Sequence, residues 1–188
     1  MRKDFTMPRF RLLIATLVFA AATFGQTPSR VEIPNVPVDP KDVASIDSII
    51  KAFYESISGP AGQPRQWGRD KTLYIPGVKF VSMSEQKCKI AMRVRDHQQF
   101  VDSSNAGLVR DGFYETELGR IERRFGNTAH VLSSYEMRTK PDGPVLGRGV
   151  NSIHLVFDGN RWWITHAIWD DERPNNPIPA DLLPPKKI

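Results

Sequence analysis

Between Val150 and Trp169 the chain reads as two strands rich in β-branched and aromatic residues, joined by Asp158-Gly159-Asn160-Arg161, and this hairpin limits the possible folds more than any other stretch. If the strands close symmetrically on Gly159-Asn160, Phe157 faces Trp162. The period of two then places Asn151, Ile153, Leu155 and Phe157 on one face with Trp162, Ile164, His166 and Ile168. That face is expected to be the core. Asn151 and His166 interrupt it, and Asp170 follows at its end with the same parity. The opposite face carries Trp163 and Trp169 and is too aromatic to be left in water, so it is expected to be covered.

The elements that precede the hairpin set its context. Asp39 and Pro40 offer an N-cap and a first helical residue, followed by apolar positions at Val43, Ile46, Ile49, Ile50, Phe53, Tyr54 and Ile57, the stripe of an amphipathic helix. A short second helix is expected from Pro64 to about Thr72, carrying Trp67. Short strands follow at 78–84 and 90–94. Asp96 and Gln99 make a capping box for a third helix, roughly 97–104. Longer strands are expected over 113–125, with a bulge or bend at Gly119, and over 128–138. Helices first and antiparallel strands afterwards describe an α+β domain, with the helices against one face of a curved sheet.

The 188 residues suit one domain spanning 39–173. Before it, residues 1–25 have the form of a secretory signal peptide: Arg2, Lys3, Arg9 and Arg11 precede the apolar run from Leu12 to Ala22, which is too short to span a bilayer. Residues 26–38 form an extended leader, and 174–188 a Pro-rich extended tail. Export implies a periplasmic or secreted location. Without the first 25 residues the charge falls from 26 basic and 21 acidic residues to 22 and 20, from +5 to +2, which removes the case for a nucleic-acid partner. No membrane association is expected once the signal is cleaved. Cys88 is the only cysteine, so no internal disulfide can form.

The segment from Val43 to Asp171, about two thirds of the chain, resembles the NTF2-like superfamily and within it the SnoaL-like branch of small exported bacterial proteins. The resemblance rests on three stretches and their spacing: Phe53-Tyr54-Glu55-Ser56-Ile57-Ser58-Gly59-Pro60, Ile75-Pro76-Gly77, and Asp158-Gly159-Asn160-Arg161-Trp162-Trp163-Ile164. It implies a cone in which about three N-terminal helices and a strongly bent antiparallel sheet enclose a mostly apolar pocket, often with dimers formed through the outer face of the sheet. No enzyme motif of that superfamily can be matched residue by residue.

Three functions are compatible with this reading. One is a module that binds a small, largely apolar molecule, with Tyr54, Trp67, Tyr135, Asn151 and Trp162 as candidate wall residues. Another is an enzyme in which His166 and Asp170 carry out proton transfer, as in an isomerase, dehydratase or cyclase. The third is a purely structural dimer with a filled pocket, and under any of the three a homodimer through the sheet face with Trp163 and Trp169 is expected. Glu115 and Glu117 share a strand face, but flanking Arg120, Arg123 and Arg124 make them read as ion-paired surface. The four histidines lack metal-site spacing, and neither metal nor cofactor is expected.

Overall fold

A computed structural model describes residues 30–86 and 89–184. The expected signal peptide and Cys88 lie outside the described residues. The elements in order are α1 (Ile46–Ile57), α2 (Trp67–Lys71), β1 (Tyr74–Gln86), β2 (Lys89–Arg95), α3 (His97–Asp111), β3 (Tyr114–Phe125), β4 (Thr128–Arg138), β5 (Gly147–Phe157) and β6 (Trp162–Asp171). The strands form one sheet in the order β2-β1-β6-β5-β4-β3. Neighbours are antiparallel except β1 and β6, which run parallel, because the chain passes through β2, α3 and the three strands β3, β4 and β5 before β6 returns to the side of β1. Among the described residues no helix is long and apolar enough to cross a membrane.

The first helix begins later than its sequence suggests. Asp39 does cap a turn, accepting from the Lys41 amide, but that turn is a 3-10 turn ending at Asp42. The Val43 carbonyl accepts instead from the Trp162 amide at 2.9 Å, which ties the turn to the sheet and breaks the helix. Ser45 then recaps the chain in a reciprocal box with Ser48. From there the expected stripe holds, with Ile46, Ile49, Ile50, Phe53, Tyr54 and Ile57 all buried. The Asp96–Gln99 box is also present, and α3 runs on to Asp111, seven residues past its expected end, before Gly112 stops it at φ 76°.

A fully buried carboxylate joins the helices to the sheet. Asp70 accepts from Ser56 Oγ of α1 at 3.0 Å, from the Tyr74 hydroxyl of β1 at 2.9 Å, and pairs with His97 Nε2 of α3 at 2.8 Å. A charge so placed is tolerated because its lone pairs are used.

The hairpin departs from its expected register at one residue. Asp158 accepts from the Asn160 and Arg161 amides, and Phe157 pairs with Trp162 as the turn dictates. Further on, Leu155 pairs with Ile164 but His154 pairs with His166, so Thr165 is an extra residue in β6. Its hydroxyl donates to the His154 carbonyl at 3.2 Å. This β-bulge exchanges the faces of everything after it. Ala167, Trp169 and Asp171 therefore turn to the helices opposite Ile153, Asn151 and Gly149, while His166, Ile168 and Asp170 turn outward. Trp163 and Trp169, expected together on an outer dimer face, lie on opposite faces of the sheet.

The cover for the outer face comes in part from the tail. After β6 the chain doubles back, and Ile178 and Leu182 bury themselves beside Leu132 and Val150, with a short 3-10 turn at Ala180–Leu182. The Leu182 carbonyl accepts from Ser134 Oγ, beside Gly119, where a Cβ would meet that same carbonyl at 2.8 Å. The bend expected near Gly119 is a register shift between Glu117 and Gly119.

Candidate functional site

Between α1, α3 and the inner face of the sheet lies a cavity of about 220 Å³. Its apolar walls are Phe53 and Ile57 of α1, Phe80 of β1, Phe100 and Leu108 of α3, and Phe113, Met137 and Trp169. Phe80 stacks on Phe100 with centroids 4.9 Å apart, and Trp169 meets Phe100 edge to face at 6.0 Å. The Arg95 guanidinium lies 5.3 and 5.4 Å from the centres of the Phe100 and Trp169 rings.

One end of the cavity is polar. Glu115, Tyr135, Asn151 and Asp171 reach it from β3, β4, β5 and β6. The Tyr135 hydroxyl donates to Asp171 Oδ1 at 2.7 Å. That hydroxyl passes so close to Gly149 that a Cβ there would meet it at 2.4 Å, which makes the glycine a requirement of this geometry. Asn151 Nδ2 donates to the Tyr54 hydroxyl at 3.2 Å and to Glu115 Oε1 at 3.3 Å. Ser133 Oγ donates to Glu117 Oε1 at 2.6 Å, so its 2.7 Å bond to Tyr54 leaves the phenol as donor. Donation runs from Asn151 to Tyr54, from Tyr54 to Ser133 and from Ser133 to the accepting Glu117 carboxylate, which fixes the Asn151 amide with its nitrogen toward Glu115.

Burial, reinforced by Asp171, pushes the Glu115 carboxyl up from 4.5 to about 7 against the opposing bond from Asn151. The Tyr135 and Tyr54 phenols are also driven well above their ordinary range, first by burial and then by Glu115, so both remain donors. The site thus holds one carboxyl poised between its two protonation states near neutrality, a second carboxyl accepting a phenol, and an oriented amide.

Of the residues singled out in the sequence, Tyr135 and Asn151 line the cavity. Tyr54 is buried directly behind Asn151 and orients it. Trp67 belongs to a separate cluster with Ile57 and Val101, its Nε1 donating to Asn105 at 2.7 Å. Trp162 closes the far end of the core, between Phe157 and the guanidinium of Arg124. His166 and Asp170 do not reach the cavity, because the bulge at Thr165 turns them outward. Asp170 is bound instead to Arg173, with Nη1 at 2.6 Å. Glu115, Asp171 and Trp169 were not singled out for this site. Glu117 is ion-paired with Arg120 at 3.8 Å, as its neighbours suggested, but Glu115 on the same face is not part of that pairing. Among the described residues no group of three His, Cys, Asp or Glu side chains is arranged to hold a metal ion.

No protein-family model and no curated protein matches the sequence. Solved structures do share its architecture. A protein of unknown function with a cystatin-like fold from Nostoc punctiforme aligns at 9% identity with a TM-score of 0.51, over 70% of this chain and 91% of that one. Rv3472, a protein of unknown function from Mycobacterium tuberculosis, aligns at 14% identity and TM-score 0.50, over 73% and 80%. An NTF2-like protein of unknown function from Methylobacillus flagellatus aligns at 11% identity and TM-score 0.46, over 69% and 95%. What is shared with the first two at such identities is the fold alone: three helices on a curved, mostly antiparallel six-stranded sheet that together enclose a cone.

Proposed function

We propose that this domain binds a small, largely apolar molecule in the cone, held by aromatic walls and by a hydrogen-bond donor of the ligand directed at Glu115 and Asp171. The observation that carries this reading is the cavity itself, which side chains leave open and which joins an apolar wall to a confined polar end. Its volume of about 220 Å³ lies below the roughly 300–1,000 Å³ of sites for drug-sized ligands, which favours a compact ligand such as a cyclic alcohol or amine. Titration with such compounds is expected to shift the emission of Trp169. Glu115→Gln should weaken alcohols and amines by tenfold or more, about 1.4 kcal/mol, and leave the parent hydrocarbon unchanged. Equal loss for both compounds, or no binding by any member of such a series, would contradict the reading.

A second reading, proton transfer on the bound molecule, is favoured by the position of the Glu115 carboxyl near 7, where a general base works best at neutral pH. In this reading Glu115 is the base, with the Tyr135 hydroxyl and Asn151 amide beside it, since His166 and Asp170 face away from the cavity. Deuterium uptake into a bound ketone at the carbon next to the carbonyl is the measurement. It should fall by a hundredfold or more in Glu115→Gln while the ketone still binds, and uptake equal to wild type would exclude this role.

A further inference from the structure

We propose that the outer face of the sheet carries a second site, for a polyvalent oxyanion of sulfate or phosphate chemistry, whose binding is coupled to protonation of His130, His154 and His166. The three histidines come from sequence positions that suggest no relationship, and strand register brings them into one row. His130 pairs with His154, and His154 with His166. Their ring centroids are 4.3 and 4.5 Å apart, with the planes tilted by 38° and 22°. The row continues in both directions. Arg123 of β3 is opposite His130, and Lys79 of β1 is opposite His166. Five adjacent strands therefore present Arg, His, His, His and Lys side by side, over roughly 19 Å at about 4.8 Å per strand.

Three features make this row a site for an anion. The first is space, since a groove of about 310 Å³ opens over the Arg123, His130 and His154 end of the row, bounded also by Phe125, Val156 and Thr165. The second is the absence of a carboxylate on the row. From β3 the facing charge is Arg123, from β1 it is Lys79, and from β4, β5 and β6 the facing titratable groups are the histidines themselves. The outward acids of these strands are engaged elsewhere: Asp170 and Glu85 with Arg173, Glu136 with Arg138, and Asp158, at the turn, with Trp163 Nε1. The helices pack on the other face, and the tail crosses further along, at Leu132, Val150 and Asp170. The third feature is donors beside the rings, with Ser152 Oγ 2.8 Å from His130 Nε2 and Thr165 Oγ1 3.3 Å from His166 Nδ1.

The proton linkage follows from the spacing. Imidazoles this close repel one another once charged, and His154 is held below its ordinary range first by burial and then by His130 and His166. An oxyanion along the row screens that repulsion and raises the affinity of the histidines for protons. By reciprocity, protonation raises the affinity for the anion, so binding strengthens as pH falls and the row takes up protons.

The test uses sucrose octasulfate, whose charge does not change between pH 5.5 and 7.5, so that any proton taken up is the protein's. Calorimetry in two buffers of different ionisation enthalpy should show at least tenfold tighter binding at pH 5.5 than at 7.5, with about one proton or more taken up per ligand. His154→Gln should remove most of the pH dependence. Arg123→Gln should weaken binding at both pH values, and neither should alter binding in the inner cavity. A parallel titration with inositol hexakisphosphate separates the two ester chemistries: binding of either or both supports the site, and binding of neither overturns it. Equal affinity at the two pH values without proton uptake would also overturn it, as would an undiminished pH dependence in the triple variant His130→Gln, His154→Gln, His166→Gln.

Discussion

Asp70→Ala is expected to lower the unfolding free energy by about 3–5 kcal/mol, the cost of removing one partner from a buried charged cluster. Three groups lose their acceptor at once: Ser56 Oγ, the Tyr74 hydroxyl and His97 Nε2, on α1, β1 and α3. Ser56 and Tyr74 have little water to turn to, since Ser56 is completely enclosed and Tyr74 nearly so, while His97 is part-exposed. For a chain of this size the melting temperature should drop by roughly 10 °C or more. A denaturant titration checks it, with the midpoint shifting at unchanged slope. A loss below about 1 kcal/mol would mean that the cluster is not what joins the helices to the sheet. Tyr74 also lines the cavity, so any ligand bound there should weaken in the same variant.

Glu115→Gln should act in the opposite direction, and only at neutral or alkaline pH. The folded carboxyl sits at about 7 against an ordinary 4.5. Below about pH 4.5 it is protonated in folded and unfolded chains alike and makes no difference. Between the two values the unfolded chain releases a proton that the folded chain keeps, so stability falls as pH rises. Above 7 the carboxylate is ionised in both states and the full penalty is present, about 2–3 kcal/mol after allowing for solvent in the cavity. Glutamine keeps the shape and can still accept from Asn151 without carrying charge. Melting temperatures should therefore rise by roughly 5 °C at pH 8 and remain unchanged at pH 4. Destabilisation at pH 8, or the same change at both pH values, would show that the carboxylate is not under strain.

The sequence made most of the frame readable, because local chemistry and tertiary structure agree there. The turn at Asp158-Gly159, the box at Asp96 and Gln99, the stripe of α1 and the extent of β4 were all legible from residue type and period. The cavity was harder to read for two physical reasons. Thr165 is an ordinary strand residue, and nothing in its type marks it as the extra one, yet it decides the facing of six residues after it. A reader counting by twos from the turn is right as far as Ile164 and wrong beyond it. Glu115 is hidden differently. Charge patterning beside three arginines describes a solvated strand, and what buries Glu115 is the packing of α1 over β3 together with the cavity wall that α3 supplies, which involves residues far away in sequence. Asn151 escaped both problems, since alternation along β5 from the turn is unbroken, and Tyr135 is marked by the apolar parity of Ala129, Val131 and Met137 although the loose turn beyond its strand leaves the register open in the sequence.

The bulge at Thr165 has a consequence for how a cone of this kind acquires a new interior. In a strand, every substitution alters one side chain, but one residue gained or lost shifts the alternation of all that follow. With Thr165 present, the far half of β6 gives its indole and terminal carboxylate to the cavity and its imidazole to the surface. Without it, the same letters read in the other phase would deliver His166 and Asp170 inward and set Trp169 outside. Two chemically different linings are thus stored in one stretch of sequence, one codon apart, and an insertion or deletion can exchange them while leaving every side chain of the strand as it was.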